Sequence, residues 1–350
     1  MSAATVLLVT RDEGLLDDVL RLAAAAGVVL DVAHNVVAAL RGWTLPPLVL
    51  VGADLLTDLA AARPVRREQV HVVGSGPAPD EVFREALTVG AAGVAELPAA
   101  ESWLVELMTD AADGGAKGAL TLAVVGGSGG VGATTFAGAL GQVAASPTRD
   151  VVLLDADPLG AGIDRVVGLD ELDGVRWDAL AHSSGRFSSR SVREALPRRD
   201  GLGVLTWGPR HREPLDAVTV REVLSAAQRG SHLVVVDLPR YPTPAGAELL
   251  PRCDHVLLVS GLTVPAVAAC SRVAADLAES GRPVHLVTRG RSATVQPEEV
   301  AATLGTPLVA TMADQRRLLE WTELGLGPVH SRRGPLARAA RSVLTRLGAR

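Results

Sequence analysis

Residues 118–148 carry no charged side chain over 31 consecutive positions, and this stretch restricts the possible folds more than any other. Its length alone would suit a membrane-spanning helix, but its eight glycines argue against one. They divide it into a strand-like segment, Leu120–Val125, a glycine-rich loop and a helix. A glycine turn between strand and helix points backbone N–H groups toward an anion, and the helix dipole adds to the attraction. Such a unit belongs in a sheet with helices on its faces.

The sequence beyond it keeps that rhythm. Val151–Asp155, Gly203–Thr206, Leu233–Asp237, His255–Ser260 and Val284–Thr288 read as buried strands, with helical stretches between most of them. Leu169–Asp200 is polar and irregular, with SSGRFSSRS at its centre, and is read as a surface helix or a loop. The expected architecture is a doubly wound, mostly parallel sheet.

The loop itself runs GSGGVGAT from Gly127 to Thr134. It fits the phosphate-binding pattern GxxxxGK[ST] except that Ala133 stands at the lysine. The candidate phosphate cradle is Gly127, Ser128, Gly129, Gly130, Val131, Gly132, Ala133, Thr134 and Thr135. Thr134 occupies the position of the Mg²⁺-binding hydroxyl. Two later strands end in acids: LLDADP brings Asp155 and Asp157, and VVVDLP brings Asp237 as a Walker B-type aspartate. Ligands of such sheets bind at the carboxyl ends of the strands, so three strand ends in this order would meet at one phosphate site. The candidate Mg²⁺ ligands are Thr134, Asp155 and Asp237, and Asp157 is the candidate catalytic group. The cofactor read from this set is ATP or ADP with Mg²⁺.

The pattern resembles the deviant Walker A family of P-loop proteins, which includes MinD, ParA and the CpaE/TadZ proteins of Tad pilus systems. That family's loop reads KGGxGKTT. In SGGVGATT, Ser128 falls at the signature lysine that reaches the partner subunit's nucleotide, and Ala133 at the ordinary P-loop lysine. GGVGATT looks closest to the CpaE/TadZ branch, and the double loss resembles the actinobacterial CpaE-like septum site-determining proteins. The likeness continues through DGVRWDAL, GLGVL, Asp237–Pro239, CDHVLLVSGLTVPAVAA and TLGTPLVATMADQRRLLEWTELGLGP. The family's Asn-Arg near the base appears as Thr288-Arg289. The resemblance implies a homodimer, protein partners in the division or Tad pilus and secretion machinery, and recruitment to a pole or septum.

Only Lys117 among 34 basic residues is lysine, so no nearby lysine replaces the two that are missing. A charge-assisted hydrogen bond is worth about 1.5–3 kcal/mol, so losing one weakens nucleotide binding about 10- to 100-fold. Hydrolysis suffers more, because positive charge on the transferring phosphoryl group supplies much of the rate. The expectation is weak nucleotide binding with slow or absent hydrolysis, unless Arg165 or Arg240 substitutes.

Residues 1–113 form the first expected domain and 114–350 the second, with Ala111–Gly118 as the linker candidate. In the first, Val6–Thr10, Leu48–Val51, Val70–Val73 and Gly93–Leu97 read as strands, and Glu13–Ala26, Asp80–Val89 and Glu101–Asp113 as helices. This flavodoxin-like five-strand pattern resembles a response-regulator receiver without its chemistry. The acceptor aspartate position falls on Gly52, with Asp54 two residues late, and the lysine position before Pro98 falls on Leu97. A pseudo-receiver used for docking is the expectation.

The remaining features narrow the alternatives. A net charge of −5 argues against broad nucleic-acid binding by the whole chain, and no sequence-specific contact is expected. Cys253 and Cys270 fit no metal pattern and oppose an iron–sulfur role. The first residues lack a basic region followed by a long apolar run, so the chain reads as cytoplasmic. The tail PLARAARSVLTRLGAR is an amphipathic helix with Leu336, Ala340, Val343 and Leu347 on one side. Without aromatic residues it is read as packed on the sheet rather than on a membrane surface. The function reading is a spatial regulator of septum placement, pilus-machine positioning or both. The competitors are an active MinD/ParA-type ATPase switch and a two-component signalling output protein.

Overall fold

The computed structural model describes residues 5–112, 118–181, 187, 189–208, 215–290 and 295–349. The chain divides into two compact units, Met1–Lys117 and Gly118–Arg350.

The first unit alternates β1 (Thr5–Val9), α1 (Glu13–Ala26), β2 (Val29–Ala33), α2 (Val36–Gly42), β3 (Val49–Gly52), α3 (Ala53–Ala62), β4 (Val70–Ser75), α4 (Asp80–Val89), β5 (Gly93–Leu97) and α5 (Glu101–Ala112). The strands pair in the order β2-β1-β3-β4-β5, all parallel, which is the flavodoxin order. The start of α1 follows from its sequence. Asp12 caps it by accepting from the Leu15 N–H, and Leu15, Val19, Leu22 and Ala23 then recur on its buried side. Gly27 closes it in the left-handed region at φ 69°. No apolar run marks β2, because it is an edge strand with only β1 beside it, and Val29 and Asp31 face solvent. The linker reading is corrected at its start: Ala111 and Ala112 complete α5, and Ala111 is buried in the core. Residues 113–117, including Lys117, lie outside the described residues.

The second unit contains β6 (Leu120–Gly126), α6 (Ala133–Ala144), β7 (Val151–Asp155), α7 (Ile163–Val167), α8 (Trp177–Leu180), α9 (Ser189–Ala195), β8 (Arg198–Arg199), β9 (Leu202–Leu205), α10 (Ala217–Gly230), β10 (Leu233–Leu238), α11 (Pro244–Leu249), β11 (His255–Gly261), α12 (Val264–Ala278), β12 (Val284–Arg289), α13 (Pro297–Leu304), β13 (Leu308–Met312), α14 (Leu318–Glu323) and α15 (Pro335–Arg346). Its sheet order is β13-β12-β11-β6-β10-β7-β9-β8, and only the β8–β9 pair is antiparallel. The central strands are buried on both faces, which is why they read as unbroken apolar runs. Apolar cores lie on the two sides of this sheet.

Leu169–Asp200 differs from its surface reading. Trp177 is fully buried and donates its indole N–H to the Asp155 carbonyl at 2.8 Å, while Val192 and Leu196 join the same core. Most of the SSGRFSSRS segment lies outside the described residues. The last helix, α15, packs on α6 and β13. Leu336, Ala340, Val343 and Leu344 are buried in that contact, and Arg338, Arg341 and Arg346 face solvent. Among the described residues no helix is long and apolar enough to cross a membrane.

Candidate functional site

The glycine loop connects the carboxyl end of β6 to the amino end of α6, at the centre of the sheet. Gly130 and Gly132 take left-handed conformations at φ 70° and 92°, which glycine adopts without strain. Gly127 is needed for a different reason. Its N–H donates to the Val259 carbonyl at 2.8 Å, and a Cβ placed on it would lie 2.4 Å from the Cys270 sulfur of α12. Cys270 thus serves as a small buried surface against the loop, and burial raises its thiol pKa. The helix α6 begins at Gly132 with no side-chain cap. Its first N–H groups therefore have no side-chain acceptor of their own, the arrangement that draws anions to helix starts.

Arg289, at the end of β12, lies across this loop. Its Nη1 donates to the Val131 carbonyl at 3.0 Å and to the Gly130 carbonyl at 3.5 Å, and its Nε to Asp314 at 3.3 Å. The guanidinium is so close that a Cβ on Gly132 would come within 2.6 Å of Nη1. Thr288 does not accompany it to the surface. It is fully buried, and its hydroxyl is paired with that of Thr311 at 2.9 Å.

Asp237, at the end of β10, is only 3% exposed. Burial pushes its carboxyl pKa well above the ordinary range, and the charge of Asp155 adds to the rise; a hydrogen bond with the Thr134 hydroxyl opposes both. Thr134 and Asp237 are thus in contact. Asp155 is enclosed differently. Oδ1 accepts from the Asp157 N–H at 3.0 Å, while Oδ2 accepts from the Ile163 N–H at 3.1 Å and the Thr206 hydroxyl at 2.7 Å. Burial raises its pKa too, against those hydrogen bonds. Asp157 accepts from the Tyr241 hydroxyl at 2.6 Å and from the Leu159 N–H at 3.0 Å. Tyr241 is pushed up to about 12, by burial first and by that bond to a carboxylate second.

Around these groups opens a cavity of about 780 Å³. The loop from Ser128 to Thr135 forms one wall, Asp157, Asp237 and Tyr241 another, and Gln315, Leu318 and Thr322 a third. Asp155 is not on the cavity wall; its oxygens brace the loop from Asp157 to Ile163. Three arginines border the space: Arg240, Arg289 and Arg317. The Nη1 of Arg240 is 3.9 Å from where a Gly129 Cβ would sit, and Arg317 is tied to Glu320. Arg165 is absent from the wall; it reaches the Ala161 carbonyl at 3.4 Å. Sequence reasoning missed Arg289 as a loop contact, Arg317 and Tyr241. The only local signal for the last was its place four residues beyond Asp237.

A hydroxyl beside a buried carboxylate whose charge is costly suits a hard divalent cation with oxygen ligands. Among the described residues, no three His, Cys, Asp or Glu side chains converge to hold a metal. Thr134 and Asp237 fit Mg²⁺ only with phosphate and water oxygens completing its shell, the usual way this ion is held beside nucleotides.

The first unit has its own strand-end cluster. The Asp54 carboxylate accepts from the Thr10 hydroxyl at 2.8 Å and from the Arg11 N–H at 2.7 Å. A Cβ on Gly52 would lie 2.3 Å from Asp54 Oδ1 and 2.8 Å from the Thr10 hydroxyl oxygen. Asp54 therefore occupies the space that a side chain at position 52 would enter. Asp12 is engaged as the cap of α1, and Leu97 is buried.

Comparison with known proteins follows the same division. Residues 9–119 match the family described as Rv3660c-like, CheY-like N-terminal domain. Over 342 residues the chain is 40% identical to the uncharacterized protein Rv3660c of Mycobacterium tuberculosis (strain ATCC 25618 / H37Rv), covering 95% of both chains. The chain is also similar to the septum site-determining protein MinD complexed with Mg-ADP from Pyrococcus horikoshii OT3, with a TM-score of 0.55 and 19% identity over 65% of this chain and 95% of that one. A ParA family ATPase from Chlorobium tepidum TLS gives a TM-score of 0.56 at 12% identity, covering 65% of this chain and 98% of that one. These likenesses show the fold: a CheY-like domain followed by the parallel-sheet P-loop fold of MinD and ParA.

Proposed function

Because the chain belongs to the Rv3660c-like family, with a CheY-like domain ahead of a MinD/ParA-type fold, we propose that it is a spatial regulator with a degenerate nucleotide site. The observation that carries this reading is the retention of the loop geometry without its charge. The glycines, the uncapped start of α6, Thr134 and Asp237 border one cavity large enough for a nucleotide, and Ala133 and Ser128 stand where lysines would. The backbone N–H groups and the helix dipole favour a phosphate chain, and Thr134 with Asp237 favours its Mg²⁺. Arg240 and Arg289 lend positive charge at the rim, while the Arg289 guanidinium is committed to loop carbonyls. The proposed ligand is ATP or ADP with Mg²⁺, bound weakly through residues 127–135 and hydrolysed slowly or not at all.

In this reading the first unit is a pseudo-receiver that docks partners, and the second is a platform that forms a homodimer. The double replacement at Ser128 and Ala133 favours the CpaE-like branch, and septum placement or Tad pilus positioning is the cellular output. Arg240 on the cavity wall supports one competitor, an active ATPase switch that has recruited an arginine. Titration with Mg-ADP, steady-state ATP turnover, and sedimentation with and without Mg-ATP separate the readings. The expected results are a dissociation constant at or above about 10 μM, turnover far below about 1 s⁻¹, and a dimer constant shifted less than about 10-fold by nucleotide. No binding at millimolar nucleotide would sink the site, and fast turnover or a larger shift would establish the switch.

A further inference from the structure

A second cavity, of about 580 Å³, lies at the other end of the sheet, among the last turn of α6, the β8–β9 turn and the second half of α15. Four arginines line it, Arg149, Arg199, Arg332 and Arg341, with Asp200 as the single carboxylate. In a chain with more acidic than basic residues this is a concentrated positive site. The neighbouring arginines are already engaged: Arg193 and Arg198 with Asp150, Arg338 with the Arg333 carbonyl, and Arg346 with the Leu308 carbonyl. Among the described residues, none of the four cavity guanidinium groups has a hydrogen bond or an ion pair.

The walls that carry them are held by close backbone contacts. Ser146 and Arg149 are bridged backbone to backbone. Gly201, at φ 85°, packs so closely on this turn that a Cβ would fall 2.0 Å from the Ser146 carbonyl oxygen. Gly168 meets the Gly325 carbonyl with a corresponding distance of 1.9 Å. Between the arginines, apolar surface comes from Val143, Pro147, Leu326 and Val329, with Leu169, Leu202 and Leu344 buried behind it.

We infer that this cavity is a binding site for a small phosphorylated molecule with an apolar, aromatic body. A guanidinium presents paired N–H donors that match phosphate oxygens. Four arginines against one aspartate suit a ligand with two phosphate groups. The volume lies in the range of small-molecule sites, which combine an apolar lining with a few polar anchors. The site is distinct from the phosphate loop, which lies at the opposite end of α6. That helix is 12 residues long, or about 18 Å, and supplies its first turn to one cavity and its last turn to the other.

The test is calorimetric titration of the full chain with adenosine 3′,5′-bisphosphate, in EDTA to withhold Mg²⁺ and at about 150 mM salt to screen loose surface attraction. The expected result is one molecule bound per chain with a dissociation constant below about 100 μM. The double variant Arg199→Gln/Arg341→Gln should weaken binding at least about 10-fold, and each single variant should weaken it measurably. Both arginines are exposed, and an unchanged circular dichroism melt confirms that the variants fold. Thr134→Ala, at the other cavity, should leave the affinity within about twofold, and fructose 1,6-bisphosphate, whose sugar ring carries no aromatic base, should bind more weakly. The inference is overturned by absence of binding at 1 mM, by undiminished binding to the double variant, by loss of binding in Thr134→Ala, or by equal affinity for the two bisphosphates.

Discussion

Restoring a lysine at Ala133 tests whether the loop is shaped for a phosphate chain. Ala133 is the first residue of α6, half-buried on the cavity wall, and its Cβ is 3.4 Å from the position of a Gly126 Cβ. A longer side chain must therefore extend away from the loop backbone into the open space. With nucleotide present, the ammonium gains a charge-assisted hydrogen bond worth about 1.5–3 kcal/mol. Against this stands the ordering of a flexible lysine, about 1 kcal/mol when its tip stays partly mobile. The net gain is about 0.5–2 kcal/mol, so Ala133→Lys should tighten Mg-ADP binding about 2- to 30-fold. Without nucleotide the same charge sits at a helix start, where a cation costs about 0.3–1 kcal/mol. The free variant should consequently melt slightly lower than the parent while its nucleotide complex gains more. Paired calorimetric titrations and thermal melts measure both effects. An affinity unchanged within twofold, in a variant that is folded, would show that these N–H groups do not surround a phosphate chain and would refute the reasoning.

Three further outcomes follow from the two strand-end clusters. The raised carboxyl pKa of Asp237 means that the folded chain holds this proton to higher pH than the unfolded chain does, so stability falls as pH rises from the ordinary 3.8 through the raised value. Asp237→Asn should therefore be more stable than the parent at pH 8, with the gap narrowing toward pH 5 in urea unfolding; a gap that widens on acidification contradicts the assignment. Gly52→Asp would set a Cβ 2.3 Å from Asp54 Oδ1, so it should cost about 1–3 kcal/mol of stability by overpacking and like-charge crowding. Neither it nor the parent should give an acid-labile phosphoryl adduct with acetyl phosphate, and mass spectrometry showing one on Asp54 would end the pseudo-receiver reading. Tyr241→Phe removes a partly exposed hydrogen bond to Asp157, worth about 0.5–1.5 kcal/mol. Freed from it, Asp157 should allow equal or modestly tighter Mg-nucleotide binding by calorimetry. Weaker binding would instead make the tyrosine a nucleotide contact.

How much of this was legible in the sequence depended on whether the signal was local. Strands buried on both faces announce themselves as apolar runs, and Val151–Asp155 is found with the same ends in the structure. Of the four described edge strands only β5 reads as a strand; in β2 and β13 solvent-facing residues such as Asp31 and Thr311 interrupt the apolar pattern, and β8 is two residues long. Trp177 was lost inside a polar segment because its burial depends on contacts with distant strands. Within the site, the glycines and Thr134 follow from spacing along one loop, and Asp237 from the apolar run it terminates. Arg289 is more than 150 residues away from the loop carbonyls it contacts, so its role required the sheet order that places β12 near β6. The sequence shows Gly52 and Asp54 two residues apart but not that the second fills the space left by the first.

The two clusters differ in what surrounds the position at which the resembled families carry a charged residue. At the receiver-like site, Asp54 turns back toward Gly52, takes two hydrogen bonds, and borders a space of about 180 Å³. That volume is below the range of ordinary ligand pockets. At the phosphate loop, Ala133 leaves an opening of about 780 Å³, with Thr134, Asp237 and arginines still on its walls. Asp237 is also held there with its charge at a cost, a state that a bound cation would relieve. The first arrangement is closed and internally satisfied, as expected of a domain that acts through its surface. The second is open and electrostatically unbalanced, as expected where binding completes the structure. The proposed function accordingly assigns ligand control to residues 118–350 and partner docking to the first unit.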